Sequence, residues 1–407
     1  MKFSKEAAFP GNEKWENAIK RESELYKRES DVRSEFGRDY TRIIHSMAYR
    51  RLKHKTQVFF SPKSDHICTR IEHVGHVESV SYTIASYLGL NTELTRAISL
   101  AHDLGHAPFG HAGEDVLDKI CREHSLESFW HEKNGLHMID DVELLEDDKN
   151  FRRNMDLTYG VRDGVISHCG EVDEKSITPR SDASDLYSFS KASDFSPYTW
   201  EACVVKIADK ISYLGRDLED ALMLKILTRD QLSKLVSILK ADEKLKDVSL
   251  EHINNTVLIS EFIIDVCKNS SPETGIALSD ERAYLMKLIK DFNGRYIYSN
   301  YRLEGYKEFA SVALNKIFQT LFMAYDREKT AEKIAEFSEI YPFMSSFLHW
   351  IEQYWDLDRG KEAARLKNRV IYFVAQNEAD YAKAVIDYIS GMSDQYLENV
   401  YRSIINF

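Results

Sequence analysis

The stretch from Ala101 to Glu114, AHDLGHAPFGHAGE, limits the fold more than any other part of the sequence. Gly105 and Pro108 end any helix that enters it, because glycine costs about 1 kcal/mol and proline about 3 kcal/mol inside a helix. Three histidines, an aspartate and a glutamate lie among these helix breakers. A plain amphipathic helix has no use for so many ligand-type side chains, so the stretch predicts a metal-centred site at a helix end.

Composition places this site in an all-α protein. Only seven prolines and 17 glycines occur in 407 residues, which favours helices over an all-β architecture. No window is apolar enough to span a membrane. The five cysteines are scattered without a CxxC pair, which predicts reduced thiols and a cytoplasmic location. The net charge of −12 argues against general attraction to nucleic acid. Nucleic acid is therefore expected only as a regulator.

Two helices are predicted immediately before the stretch. Over 70–88 the apolar residues recur at helical spacing, and His73 lies on the same stripe. Gly89 ends this helix, and the next one runs to His102. A single histidine on an apolar stripe is usually a core residue. Because a short connection places the start of one antiparallel helix beside the end of the next, His73 should lie near His102 and Asp103, which favours a ligand.

A third informative helix is predicted over 198–224, with apolar residues filling one side. Asp209, Tyr213 and Asp217 recur every four residues on the other side, next to Lys210. Such a polar row is normally a solvated face. Here it combines a carboxylate, a phenol and an ammonium group, which could hold a metal, a phosphate and a sugar.

The stretch and its neighbours predict a hydrolytic site. Two histidines and two carboxylates would suit Mn²⁺, Fe²⁺, Ni²⁺, Zn²⁺ or Mg²⁺, and the absence of cysteine excludes a structural thiolate zinc site. His111 and Glu114 share a helix face as a base and its orienting group, with His106 as a second acid or base. Without a serine or cysteine nucleophile, we expect water to attack a phosphate ester or anhydride. The intervening glycines would let a triphosphate approach the backbone.

Four segments carry a family resemblance: RIIHSMAYRRLKHKTQVF, TRIEHVGHVESVSYTIA, AHDLGHAPFGHAGE and SPYTWEACVVKIADKISYLGRDLEDAL. Together they resemble the HD superfamily of metal-dependent phosphohydrolases, and most closely its deoxynucleoside triphosphate triphosphohydrolase branch, the dGTPase-like proteins. They cover most of residues 38–225 in family order. The resemblance implies a helical HD-domain phosphohydrolase fold with additional C-terminal helices. It also implies hydrolysis of deoxynucleoside triphosphates to deoxynucleoside and triphosphate, by water attack at the α-phosphorus.

The resemblance implies a role for each matching residue. Four residues match metal ligands: His73, His102, Asp103 and Asp209. His111 with Glu114 matches the pair at the α-phosphorus, and His106 matches the second imidazole near the phosphates.

Seven residues match substrate-binding positions: Gln57, Val58, Arg70, His131, Lys210, Tyr213 and Asp217. Arg70 and Lys210 are implied to bind phosphate. Tyr213, Asp217 and Gln57 are implied to close around the deoxyribose and its 3′-hydroxyl, and Val58 to crowd the place of a 2′-hydroxyl. Family members usually form dimers or hexamers, so a homo-oligomer is expected.

We expect three regions along the chain. Residues 1–37 would form a charged N-terminal helix or arm, 38–230 the HD catalytic domain, and 231–407 a C-terminal helical region packed on the HD core. Within the second region, 171–197 is rich in serine, aspartate and lysine and predicts a mobile surface loop or insertion that could cover the site. The tyrosine-rich segment 293–306 is expected to serve core and subunit packing.

Three smaller points and two alternative functions stay open. His168 is expected to be a core or surface residue, and a small hairpin near 61–68 is compatible with the sequence.

Another HD activity (a 5′-nucleotidase, a cyclic-dinucleotide phosphodiesterase or an alarmone hydrolase) would release orthophosphate or open a cyclic nucleotide. A non-catalytic sensor would bind deoxynucleoside triphosphate without turnover. No nucleotide-activator site is identified.

Overall fold

The computed structural model describes residues 2–23, 30–60, 66–169, 175–191, 194–245 and 255–406. The first nine helices are α1 Trp15–Ala18, α2 Glu35–His45, α3 Met47–Arg51, α4 Arg70–Leu88, α5 Thr92–Ala101, α6 Gly110–Glu123, α7 His131–His137, α8 Tyr159–Ser167 and α9 Trp200–Met223. The remaining helices are α10 Arg229–Lys240, α11 Asn255–Asn269, α12 Asp280–Asn293, α13 Tyr301–Phe322, α14 Thr330–Ser338, α15 Phe343–Ile351, α16 Glu378–Ser390 and α17 Asp394–Ile405.

Strands are few and short in the described ranges. The pair β1 Leu144–Glu146 and β2 Arg152–Asn154 is antiparallel, as is the pair β3 Ser176–Ile177 and β4 Ile276–Ala277. The predicted all-α fold is therefore confirmed. No helix in these ranges is long and apolar enough to cross a membrane.

Helices α4 and α5 follow the sequence prediction closely. A capping box of Thr69 and Glu72 starts α4, and Gly89 ends it in the left-handed conformation with φ 86°. The side chain of Asn91 then accepts hydrogen bonds from two backbone amides at the start of α5. The two helices pack against each other, which brings His73 beside His102.

Helix α9 packs against α4, α5 and α8, and buried polar groups hold its N-terminal third. The carboxylate of Glu201 accepts hydrogen bonds from the backbone amides of Ala8 and Asn91. The ammonium group of Lys206 donates to the carbonyls of Ser167 and Cys169 at the end of α8. These contacts fix the position of α9 and the backbone just after α8.

A few apolar residues of the N-terminal region belong to the core. Phe3 is fully buried and contacts Trp200 edge-on, with ring centroids 4.9 Å apart. Ala18 in the short α1 is also fully buried. The described part of this region contains the short helix α1 and irregular backbone, and its few apolar residues pack against α8 and α9.

The C-terminal helices form a second hydrophobic core that includes α6 and the middle of α13, α15, α16 and α17. Two polar contacts join this core to the histidine-rich stretch. Lys55 donates to the carbonyls of His106 and Ser390, and Asp394 accepts from the amides of Thr56 and Phe109. Lys55 is therefore part of a buried contact between this core and the histidine-rich stretch.

The described part of the serine-rich segment 171–197 is anchored at several points. Strand β3 pairs with β4, and the side chains of Leu186 and Phe189 are buried. Arg180 forms an ion pair with the buried Asp163. These contacts anchor the described part of the segment to the helical core. Residues 170–174 and 192–193 lie outside the described residues, as do 61–65 of the possible hairpin and 24–29 of the expected arm.

Candidate active site

A cavity of about 1020 Å³ lies among α4, α6, α9, α12 and α13. The predicted site residues that line it are Gln57, Val58, Arg70, His73, Asp103, His106, His111, His131, Asp209, Tyr213 and Asp217. His102 and Glu114 lie behind this lining, in contact with residues of the cavity wall. Lys210 is not among the lining residues.

Four of these residues converge at the cavity floor as a candidate metal group. Nε2 of His73 lies 2.9 Å from Oδ1 of Asp209. Nε2 of His102 lies 3.8 Å from the same oxygen and 3.4 Å from Oδ1 of Asp103. All four side chains are buried.

A divalent ion fits this donor set. Nδ1 of His102 lies 2.7 Å from the carbonyl oxygen of Ser99. Because a carbonyl can only accept, Nδ1 must carry the proton, which leaves a lone pair on Nε2. That Nε2 is buried and has no hydrogen-bond partner among the described residues. A metal ion bound to Nε2 would satisfy it. The hydrogen bond from Nδ1 to a backbone carbonyl is the outer-shell contact typical of metal-ligating histidines.

Both carboxylates at the floor are ionised. Burial alone would raise the pKa of Asp103, but the adjacent His106, His102 and Arg70 hold this pKa well below its usual value. Burial likewise opposes ionisation of Asp209, and its hydrogen bond with His73 overrides this to give a pKa of about 2. Anionic oxygens beside imidazole nitrogens form a donor set suited to divalent transition metals.

Three imidazoles and one carboxylate lie next to the metal group. Oε2 of Glu114 lies 3.2 Å from Nδ1 of His111 and 3.1 Å from Nδ1 of His131. The rings of His106 and His131 stack with centroids 3.9 Å apart. The side chain of His111 is 77% exposed, in keeping with its place on the cavity wall.

Charge differs within this imidazole group. Burial lowers the pKa of His131, but Glu132 and Glu114 outweigh it and raise this pKa to about 9. Burial and the charge of Arg70 hold the pKa of His106 well below its usual value. A protonated and a neutral imidazole are therefore stacked at the site, beside an ionised Glu114 whose pKa the histidines lower despite its burial.

Glycines of the stretch serve protein packing rather than ligand approach. A Cβ added at Gly105 would lie 2.1 Å from the carbonyl oxygen of His131 and 2.1 Å from the amide nitrogen of Gly135. A Cβ at Gly113 would lie 1.8 Å from the carbonyl oxygen of Pro108. At Gly113, one of the glycines expected to admit a triphosphate, the preceding turn already fills that space. At Gly105, which was expected only to end a helix, α7 fills it.

Around Asp217 the cavity is lined by tyrosines and by acceptors without hydrogen-bond partners among the described residues. The hydroxyl of Tyr298 donates to Oδ2 of Asp217 over 2.6 Å, and burial raises the pKa of Asp217 to about 7. Oδ1 of Asp217 and Oε1 of Gln57 are buried and have no hydrogen-bond partner among the described residues. Tyr298 and Tyr306 line the cavity, so packing alone does not account for the tyrosine-rich segment.

Sequence reasoning missed several lining residues. Four lysines also line the cavity: Lys119, Lys191, Lys290 and Lys307. These lysines come from separate parts of the chain. The packing of α6, α12 and α13 brings three of them to the same cavity. Glu132, His168 and Cys169 line the cavity too. Burial and the neighbouring His102 lower the pKa of His168 to about 4, so its imidazole is neutral.

Comparison with known proteins agrees with this geometry. The HD domain family profile matches residues 70–214, which include every residue of the candidate metal group. A deoxyguanosinetriphosphate triphosphohydrolase-like protein of Caldanaerobacter subterraneus subsp. tengcongensis is 31% identical over 92% of this chain and 86% of that protein.

The chain belongs to the dGTP triphosphohydrolase-like family of HD-domain proteins. Two further members of this family carry the same name. The one from Rickettsia bellii is 31% identical over 96% of this chain and 97% of its own length. The one from Desulfatibacillum aliphaticivorans is 37% identical over 72% and 74%. Membership in this family supports a phosphohydrolase function with a metal-dependent site.

Proposed function

We propose that the protein hydrolyses deoxynucleoside triphosphates to deoxynucleoside and inorganic triphosphate, through attack of water on the α-phosphorus. One observation carries the proposal: His111, an imidazole that contacts the carboxylate of Glu114, lines the same cavity as the buried candidate metal group. The relatives named above, whose names state a dGTP triphosphohydrolase likeness, support the choice of substrate.

His73, His102, Asp103 and Asp209 would hold a divalent ion, Mn²⁺, Mg²⁺, Fe²⁺, Ni²⁺ or Zn²⁺. When bound, such an ion polarises a phosphate oxygen and lowers the pKa of water. Arg70 lies at the border between this group and the cavity, and its Nη1 donates to Oδ2 of Asp103 over 2.9 Å. The remaining N–H groups of this buried guanidinium would bind phosphate oxygens.

Glu114 and His111 would transfer the protons. The ionised Glu114 accepts the Nδ1–H of His111, which leaves a lone pair on Nε2. That nitrogen would take a proton from the attacking water as the bond to the α-phosphorus forms. As the bond from phosphorus to the 5′-oxygen breaks, the same proton can pass to the leaving deoxynucleoside. His106, stacked on the cationic His131, would lie beside the phosphates.

The sugar would bind beside Asp217 and Gln57, which line the cavity. Oδ1 of Asp217 and Oε1 of Gln57 are acceptors that lack partners among the described residues, so a ligand hydroxyl would satisfy them. We assign the 3′-hydroxyl to this pair and the ring of Tyr213 to the deoxyribose. Val58 lines the same wall and would exclude a 2′-hydroxyl.

The phosphate chain needs cations because the protein carries a net charge of −12. Lys210, implied by the family resemblance to bind phosphate, is not among the lining residues, so we assign this contact first to Arg70. Lys119 and Lys307, which line the cavity from α6 and α13, would add positive charge near its opening.

A product assay tests the proposal. Purified protein would be incubated with each of the four deoxynucleoside triphosphates and with GTP, in Mn²⁺ or Mg²⁺, and the products separated by ion-exchange chromatography. We expect deoxynucleoside and intact triphosphate, with GTP turned over far more slowly. Release of orthophosphate would instead indicate another HD phosphohydrolase, and tight binding without turnover would indicate a sensor.

A further inference from the structure

A second group of metal-ligating side chains lies beside the candidate metal group. It consists of His131 and Glu132 at the start of α7, with His168 and Cys169 just after α8. One ligand atom from each of these four residues lies within 4.8 Å of the others. All four residues line the cavity, and all except the half-buried Cys169 are buried.

The imidazoles of this group are held as metal ligands usually are. Nδ1 of His168 lies 2.7 Å from the carbonyl oxygen of Val165, and Nδ1 of His131 lies 3.1 Å from Oε2 of Glu114. Each ring therefore has one nitrogen fixed by a protein oxygen, the outer-shell contact typical of ligating histidines. Nε2 of His131 lies 3.6 Å from Sγ of Cys169 and 3.5 Å from Oε1 of Glu132.

We propose that His131, Glu132, His168 and Cys169 form a second divalent-metal site that takes a thiolate ligand. Two imidazole nitrogens, one sulfur and one carboxylate oxygen make a four-ligand set suited to Zn²⁺ or a similar borderline-soft ion, and poorly suited to Mg²⁺. Binding displaces the thiol proton of Cys169 and any proton on Nε2 of His131. The hydrogen bond from Nδ1 of His131 to Glu114 is kept.

The two metal groups are adjacent. A ligand atom of His168 lies within 4.8 Å of ligand atoms of both His102 and Asp103, and the rings of His102 and His168 contact edge-on at a centroid distance of 5.0 Å. An ion in the second site would add two positive charges beside Glu114 and Glu132. The inference concerns which ions this chain binds, so it does not depend on the substrate proposed above.

Titration with Co²⁺ tests the second site. The protein is stripped of metal with a chelator, Co²⁺ is added, and the near-ultraviolet charge-transfer absorption of thiolate-bound Co²⁺ is followed. We expect this absorption to saturate at one ion per chain and to disappear in Cys169→Ser. Cys267→Ser removes a buried thiol elsewhere, in α11, and should keep it. Absence of the absorption in the unsubstituted protein, or its survival in Cys169→Ser, would overturn the proposal.

Two more variants separate the second site from the first. Asp209→Asn should lower the total Co²⁺ bound by one ion per chain and keep the thiolate absorption; loss of that absorption would contradict two distinct sites. Glu132→Gln, which keeps the side-chain shape, should weaken the thiolate-bound ion about tenfold or more, because even outer-shell partners change metal affinity by about 10–100-fold. An unchanged affinity would remove Glu132 from the ligand set.

The same samples distinguish this proposal from the proposed hydrolysis. Triphosphate release is assayed with Mn²⁺ on the unsubstituted protein used for the Co²⁺ titration. Thiolate absorption without triphosphate release would support the second site and reject the substrate proposal. Triphosphate release without the absorption would reject the second site and keep the substrate proposal.

Discussion

The cavity floor and the polar network between α7 and α16 are both buried, but they differ in how their polar groups are satisfied. At the cavity, Nε2 of His102, Oδ1 of Asp217 and Oε1 of Gln57 have no hydrogen-bond partner among the described residues. An unsatisfied buried polar atom costs about 1–3 kcal/mol. The proposed metal would satisfy the first of these atoms, and the proposed substrate would satisfy the other two.

The network, defined by His137, Asp141, Asp387 and Tyr372, is fully paired. Nδ1 of His137 lies 2.9 Å from Oδ2 of Asp141, and its Nε2 lies 2.9 Å from Oδ2 of Asp387. The hydroxyl of Tyr372 donates to the same oxygen of Asp387 over 2.8 Å, and Lys383 also pairs with Asp387. Histidines and aspartates that satisfy one another hold α7 to α16 and need no ligand. Substitutions at the cavity floor should therefore reduce metal binding and activity, whereas substitutions in the network should reduce stability.

Asp103→Ala should have the largest effect of the substitutions considered. It removes an anionic ligand from the candidate metal group, so we expect loss of the bound ion and of nearly all triphosphate release. Metal content by mass spectrometry and the product assay measure the two effects. Full activity in this variant would remove Asp103 from the site.

Asp387→Ala should act on stability instead. It leaves His137, Tyr372 and Lys383 without their shared partner, and loss of one buried ionic partner costs about 3–5 kcal/mol of unfolding free energy. Metal content of the folded protein should not change. Urea denaturation measures the loss of unfolding free energy. The control is Glu336→Ala, an exposed position on α14 where we expect a change within about 0.5 kcal/mol. Loss of metal with unchanged stability would break the contrast between the regions.

His111→Ala should slow turnover about 100-fold or more while metal stays bound, because a positioned general base contributes at least that factor. Stability should be nearly unchanged, since the side chain is 77% exposed. The matched control is His349→Ala: His349 is 71% exposed and has Glu352 three residues on, but it lies outside the cavity. If the His111 variant lost its metal, the separation of ligand and base would be wrong.

Asp217→Asn should stabilise the protein in a pH-dependent way. Burial raises the pKa of Asp217 to about 7 from its ordinary value of 3.8. Ionisation of this carboxyl therefore destabilises the folded state in full above pH 7. The destabilisation becomes smaller as the pH falls from 7 and disappears near pH 3.8. At pH 8 we expect the variant to gain about 1–2 kcal/mol of unfolding free energy, and at pH 4 almost none. Urea denaturation at the two pH values measures this. Equal effects at both values would contradict a buried, ionisable Asp217.

The sequence predicted the elements whose signals are local. Apolar periodicity and clear end residues defined α4, α5 and α9, and the short connection at Gly89 and Asn91 correctly placed His73 beside His102. The i, i+3 spacing likewise predicted the contact between His111 and Glu114. Each of these depends on helix geometry within one or two neighbouring elements.

Contacts between distant elements were not predictable in the same way. Tyr298 reaches Asp217 from a segment 81 residues away, and the periodicity of neither segment reveals the pairing. His168 was expected to be a core or surface residue, yet it lines the cavity, because the packing of α8 on α5 and α9 turns the end of α8 toward His102. Gly105 was expected to end a helix, but the sequence did not reveal that α7 packs directly against it.

Hydrolysis in water enriched in ¹⁸O tests attack at the α-phosphorus most directly. The protein would be incubated with dGTP and Mn²⁺, and the products analysed by mass spectrometry. Attack on the α-phosphorus predicts one ¹⁸O atom in the released triphosphate and none in the deoxyguanosine. Label in the deoxyguanosine, or labelled orthophosphate in place of triphosphate, would contradict the proposed reaction.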